Sequence, residues 1–182
     1  MNLIKFAQIV GKLKTTKRTG WVNAGIKNPE SVAEHSYRLA VLCMILGDQL
    51  KLNTEKIVRM ALIDDLAESV VGDLVIKRGN KTIGDKGKKF QLEEKAIKEI
   101  FSNIDNGQEY VSLWQEAQAG DSKEFQVLKQ LDKLEMAMQA LEYEDQIESK
   151  KLDEFWITAQ NYTVDKKLKL ILKKLSKLRS KN

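Results

Sequence analysis

Met60-Ala61-Leu62-Ile63-Asp64-Asp65-Leu66-Ala67-Glu68-Ser69-Val70-Val71-Gly72-Asp73 sets four carboxylates in a run that is otherwise almost wholly apolar. Helical spacing puts Glu68 beside both Asp64 and Asp65, one turn on from each. The apolar neighbours leave no evident solvent face, so the stretch reads as a buried helix. It is predicted to start at a cap on Asn53 or Thr54 and to end at Gly72. Burying a carboxylate without a partner costs several kcal/mol, and adjacent carboxylates repel one another. Such a cluster needs a cation, a shared proton or a basic partner. A solvated helix edge or a buried salt bridge is the alternative, but the stretch itself supplies no counter-ion.

Working outward, the rest of the chain repeats the helical period. Leu3, Phe6, Ala7, Val10 and Leu13 form a stripe over 3–13. A polar, basic turn follows from Lys14 to Trp21, and an irregular segment continues to Pro29. Ser31-Val32-Ala33-Glu34 is a capping-box pattern that opens the next helix. His35, Leu39, Leu42 and Leu46 share one face of it, so the only histidine points to the apolar side. That position suits a satisfied core residue or a ligand. Further helices are predicted over about 90–103, 108–118 and 122–147, around Phe155-Trp156-Ile157, and over a Lys-rich amphipathic stretch at 164–179. Asp132, on the stripe side of the 122–147 helix, also points to packed surface. Between these, 77–89 is rich in glycine and lysine without apolar period, and reads as either a mobile lid or a plain connection.

One proline and ten glycines in 182 residues favour an all-α chain, and the length suits a single domain. The net charge of +5 comes mostly from the lysines of 77–89 and 166–181. No basic stripe is interleaved with aromatics, so nucleic acid is not the expected partner. A basic rim that attracts a small phosphorylated substrate fits as well. The lone cysteine, Cys43, excludes an internal disulfide and suits a reducing compartment. No run is long enough for a membrane span, and the N-terminal apolar run is too short for a signal peptide, so a cytoplasmic protein is expected.

A histidine on one helix, an acidic pair on the next and a distant aspartate resemble the ligand order of the HD-domain metal-dependent phosphohydrolases. Arg18-Thr19-Gly20-Trp21, Asn28-Pro29-Glu30-Ser31-Val32-Ala33-Glu34-His35-Ser36, Leu66-Ala67-Glu68 with Gly72-Asp73, and Leu131-Asp132-Lys133-Leu134-Glu135 through Leu141-Glu142-Tyr143-Glu144 are similar to the 5'-deoxynucleotidase branch of that family. The similarity covers residues from about 10 to 145. It implies a single-domain HD-domain helical bundle, dimeric, with one divalent metal cation such as Mn²⁺, Co²⁺ or Mg²⁺. His35, Asp65 and Asp132 would be metal ligands, with Asp64 as a further candidate. Glu68 and Asp73 would act beside the reacting phosphate ester. Arg18 would hold the phosphate, and Trp21 would lie against the sugar or shape the nucleotide pocket. The implied reaction converts a deoxyribonucleoside 5'-monophosphate into the deoxyribonucleoside and phosphate.

One position departs from that pattern. The expected His-Asp doublet is Asp64-Asp65 here. With Asp64 as a fourth ligand the set has one imidazole and three carboxylates. Its formal charge with a divalent ion is then about −1, against 0 for two imidazoles and two carboxylates, and oxygen-rich donors favour harder ions. Two readings follow: an active nucleotidase with altered metal preference, or an impaired relative that binds nucleotide or a protein partner without turnover.

Overall fold

The computed structural model describes residues 1–78 and 81–179. Among these, ten α-helices form the fold: α1 (Leu3–Gly11), α2 (Thr19–Ala24), α3 (Val32–Gln49), α4 (Thr54–Asp64), α5 (Glu68–Val71), α6 (Lys86–Phe101), α7 (Gly107–Ala119), α8 (Lys123–Glu142), α9 (Asp153–Tyr162) and α10 (Lys166–Arg179). The fold class is all-α, as predicted. Between α5 and α6 lies a small antiparallel hairpin, β1 (Lys77–Arg78) with β2 (Lys81–Thr82).

Local chemistry sets several helix starts. Ser31 Oγ accepts from the Glu34 backbone N–H at 3.2 Å, and Glu34 Oε2 accepts from the Ser31 N–H at 2.6 Å, closing the capping box of α3. Asn53 caps α4 through the Lys56 N–H at 3.0 Å, and Asp85 caps α6 through the Lys88 N–H at 3.1 Å. Gly72 ends α5 with φ of +77°, a conformation open to glycine.

Four expectations change. The helix predicted through Val71 breaks after Asp64, at Asp65 (φ −97°, ψ 11°), and resumes as α5. No glycine or proline lies at the break; the two aspartates instead turn to different partners across the fold. The basic turn and irregular segment contain α2, which seats Trp21 in the core. The long helix predicted to 147 ends at Glu142. The 77–89 loop is shorter than expected: Ile83 and Gly84 N–H both donate to the Ile76 carbonyl, and α6 already begins at Lys86. Gly79 and Asn80 of that loop, and residues 180–182 beyond α10, lie outside the described residues.

Two hydrophobic clusters form the interior. Leu39, Cys43 and Leu46 of α3 pack with Met60 of α4 and Leu128, Leu131 and Leu134 of α8 in the first. Ile63, Leu66, Ile97, Ile100, Phe101 and Trp114 build the second. The change from one cluster to the other comes just before the break: Met60 and Ala61 belong to the first, and Ile63, Leu66 and Ala67 to the second. Gly47 brings α3 close to α4: a Cβ there would stand 3.1 Å from Thr54 Oγ1 and 3.3 Å from Ile57 Cγ2. No helix among the described residues is long and apolar enough to cross a membrane.

Candidate metal and phosphate site

The site begins at His35, in the first turn of α3 and fully buried. Its Nδ1 lies 2.5 Å from Glu135 Oε2 on α8. A carboxylate only accepts, so Nδ1 carries the proton and Nε2 faces away with its lone pair. Glu135 is itself held by Arg38 Nε at 2.7 Å, and Arg38 also donates to Glu142 at 2.7 Å and to Gln139. Burial and then Arg18 oppose protonation of His35, but the Glu135 hydrogen bond and charge outweigh them and raise its pKa. A metal on Nε2 would therefore compete with a proton.

Two aspartates meet Nε2. Asp65 Oδ2 and Asp132 Oδ1 each lie 3.5 Å from it. His35 Nε2 and Asp132 Oδ1 are both buried and have no hydrogen-bond partner. Orphaned donor atoms of this kind are rare in folded proteins, and an imidazole nitrogen between carboxylates is a donor set that fits a divalent cation. Burial opposes the charge on Asp132, but Lys133 (Nζ 2.9 Å from Oδ2), His35 and Lys129 hold its carboxyl well below the usual range. On Asp65, burial is likewise outweighed by Arg18 and His35, which lower its pKa. Glu30, His35 and Glu135 also bring ligand atoms within 4.8 Å of one another. Of that group, Glu135 holds the imidazole through Nδ1, while Glu30 is engaged by Trp21 and lies 3.9 Å from Arg38, which supplies positive charge there.

The remaining predicted residues separate. Arg18 Nη1 reaches Asp65 Oδ2 at 3.3 Å, so its guanidinium stands at the edge of the donor set. Glu68 opens α5 and is 2% exposed, with Oε2 lacking any partner. Burial first, then Asp65 and Asp73, push its pKa well above the ordinary carboxylate value against the pull of Arg18 and Lys89. Asp73 Oδ2 accepts from the Thr19 N–H, and its carbonyl accepts from Thr19 Oγ1, both at 2.7 Å. This clasp fixes the start of α2 and with it Arg18.

Asp64 does not turn toward His35. Its Oδ1 and Oδ2 lie 3.2 and 3.0 Å from Lys129 Nζ. Trp21, expected to lie against the substrate sugar or to shape the nucleotide pocket, is buried in the core. Its ring stacks on Phe155 at 4.0 Å, meets Tyr143 edge-on at 5.2 Å, and its Nε1–H donates to Glu30 at 2.8 Å. Cys43 sits nearby as an inert thiol, pushed up to about 12 by burial, Asp64 and Asp132.

Sequence reasoning passed over Lys129, Lys133, Lys89 and the role of Glu135. Lys129 and Glu135 lie one turn before and one turn after Asp132 on α8, so helical spacing from Asp132 could have found both. Lys89 lies 3.9 Å from Glu68, 3.3 Å from Glu93 and donates to the Leu74 carbonyl at 2.8 Å. Nothing local in the glycine- and lysine-rich stretch marks it out.

The HD domain family model matches residues 10–175. The chain belongs to the HD domain family. This HD domain protein is 43% identical over 157 residues to a 5'-deoxynucleotidase HDDC2 of Dictyostelium discoideum, covering 80% of this chain and 79% of that protein. It is 41% identical over 146 residues to 5'-deoxynucleotidase HDDC2 of Homo sapiens, covering 79% and 69%. Among solved structures, a conserved hypothetical protein from Pyrococcus furiosus superposes with a TM-score of 0.78 at 33% identity, covering 96% of this HD domain chain and 99% of the other.

Proposed function

We propose that the protein is a metal-dependent 5'-deoxynucleotidase that releases inorganic phosphate from deoxyribonucleoside 5'-monophosphates. The observation that carries this reading is the meeting of two unpartnered buried atoms, His35 Nε2 and Asp132 Oδ1, with Asp65 beside them and Arg18 and Glu68 at the edge. The names of the relatives support the same substrate class. His35, Asp65 and Asp132 would hold the ion, and a mainly oxygen set favours Mn²⁺, Co²⁺ or Mg²⁺. When bound, such an ion neutralises phosphate charge and makes water more acidic.

The chain's own residues supply the rest. Arg18 grips the phosphate through its fork of N–H donors, which lysine cannot reproduce. Glu68, buried and short of hydrogen bonds, takes the proton from the attacking water. The new P–O bond forms as the bond to the 5'-oxygen breaks; that oxygen takes up a proton from solvent, and Glu68 gives its own proton back to solvent, so the carboxylate is restored. Asp73, engaged with Thr19, is assigned to positioning Arg18. In the test, the purified protein is incubated with the four deoxynucleoside monophosphates and each ion. Phosphate release is expected with at least one ion, lost on chelation and restored on re-addition; no release with any ion overturns the reading. A second reading, nucleotide binding without turnover, is favoured by the aspartate at position 64. It predicts calorimetric binding of a deoxynucleotide in that same absence of release.

We also read the protein as a homodimer. The support is the outer face of α3, where Tyr37, Val41, Met44 and Ile45 are exposed at helical spacing. Light scattering is expected to give twice the chain mass of 20.8 kDa, and a monomer at micromolar concentration would contradict it.

A further inference from the structure

Asp64 and Lys129 stand next to the proposed metal donors, and the reading above uses neither. We infer that they act as one electrically neutral unit that borders the metal without binding it, so that the protein ligands are His35, Asp65 and Asp132 alone. The inference rests on the metal reading under Proposed function.

Three observations lead there. Both Asp64 oxygens are engaged by Lys129, at 3.2 and 3.0 Å, on a side chain that is 5% exposed. Among the carboxylates and the imidazole of this site, the buried atoms without partners belong to His35, Asp132 and Glu68, not to Asp64. An ion entering the site meets vacant lone pairs on the first two and an occupied carboxylate on Asp64. Lys129 is also held in place, with its Nζ 5.4 Å from the centre of the Phe125 ring.

The charge count agrees. A divalent ion with Asp65 and Asp132 sums to zero, and Asp64 with Lys129 sums to zero. Asp64 with Lys129 therefore adds no net charge to the site, to which Arg18 and Lys133 contribute positive charge that favours a phosphate dianion. The pair thus fills the place where the resemblance expects an imidazole with another uncharged group. It also leaves a coordination position open for water or substrate, as catalytic metal sites require.

The test is Mn²⁺ binding, measured by calorimetry and by the paramagnetic resonance signal of free Mn²⁺. Four proteins are compared: wild type, Asp64→Asn, Lys129→Met and the double variant. If the pair is a neutral bystander, removing it whole leaves affinity within about threefold of wild type. Lys129→Met, which frees a carboxylate beside the ion, binds Mn²⁺ roughly tenfold or more tightly, and Asp64→Asn, which leaves a bare ammonium there, binds it roughly tenfold or more weakly. If Asp64 is instead a ligand, the double variant loses roughly tenfold or more, and that result overturns the inference. So does a Lys129→Met protein that binds no tighter than wild type. Should either single variant fail to fold by circular dichroism, the charge-neutral double variant decides alone. Failure of wild type itself to bind Mn²⁺ overturns this inference, and failure to bind Co²⁺ and Mg²⁺ as well overturns the metal reading with it, whereas a wild type that binds beside a weakened double variant overturns only the inference.

Discussion

Glu68→Gln lowers the rate of phosphate release by ~10²–10⁴-fold, the span a positioned general base contributes. Glutamine matches the carboxylate in shape but cannot take a proton from water. Glu68 sits 2% exposed, repelled by Asp65 and Asp73, with one oxygen unpartnered. Neutralising it removes repulsion and should not lower the melting midpoint. The substrate KM is expected to move little, because Arg18 and the metal donors are untouched. Steady-state phosphate release with a melting scan checks this: a loss of less than about tenfold sinks the base assignment, and a fall in midpoint sinks the account of its burial.

Trp21→Ala destabilises the fold by about 3–5 kcal/mol, as large-to-small changes of buried aromatics do. For a chain of this size that lowers the melting midpoint by on the order of 10 °C or more. The ring's contacts with Phe155 and Tyr143 are lost, and Glu30 loses the indole N–H that satisfies one oxygen. Trp21→Phe retains much of the packing and is expected to cost less. Neither change should raise KM selectively, because the ring is 2% exposed and covered by protein. A Trp21→Phe protein with normal stability and a strongly raised KM would return the residue to the substrate.

The parts of the fold legible in the sequence were those fixed by neighbours along the chain. The Ser31–Glu34 box, the Asn53 cap and the Gly72 stop each depend on residues within one turn. His35 and Asp132 were legible because a polar residue on an apolar stripe points inward whatever it meets. The break after Asp64 was not, because no local residue opposes the helix there. It follows from Lys129 drawing one aspartate while Arg18 and His35 draw the next, contacts spanning 65, 47 and 30 residues of sequence. The contacts of Trp21 were hidden for the same reason: a resemblance transfers position, whereas Phe155 and Tyr143 decide what its ring touches. Lys129 remained hidden until α4 packed against α8.

The gathering of His35 from α3, Asp65 from the break after α4, and Asp132 and Glu135 from α8 also bears on the chain as it is synthesised. A nascent chain extending to residue 131 already contains Arg18, His35, Asp65 and Glu68, yet lacks Asp132 and Glu135. Its imidazole lacks the Glu135 carboxylate that fixes the tautomer, and only two of the three proposed donors are present. Closure of so wide a span comes late, since distant segments must meet before their contacts reward the lost freedom. On the proposed donor set, ion capture thus needs a chain that extends past Asp132.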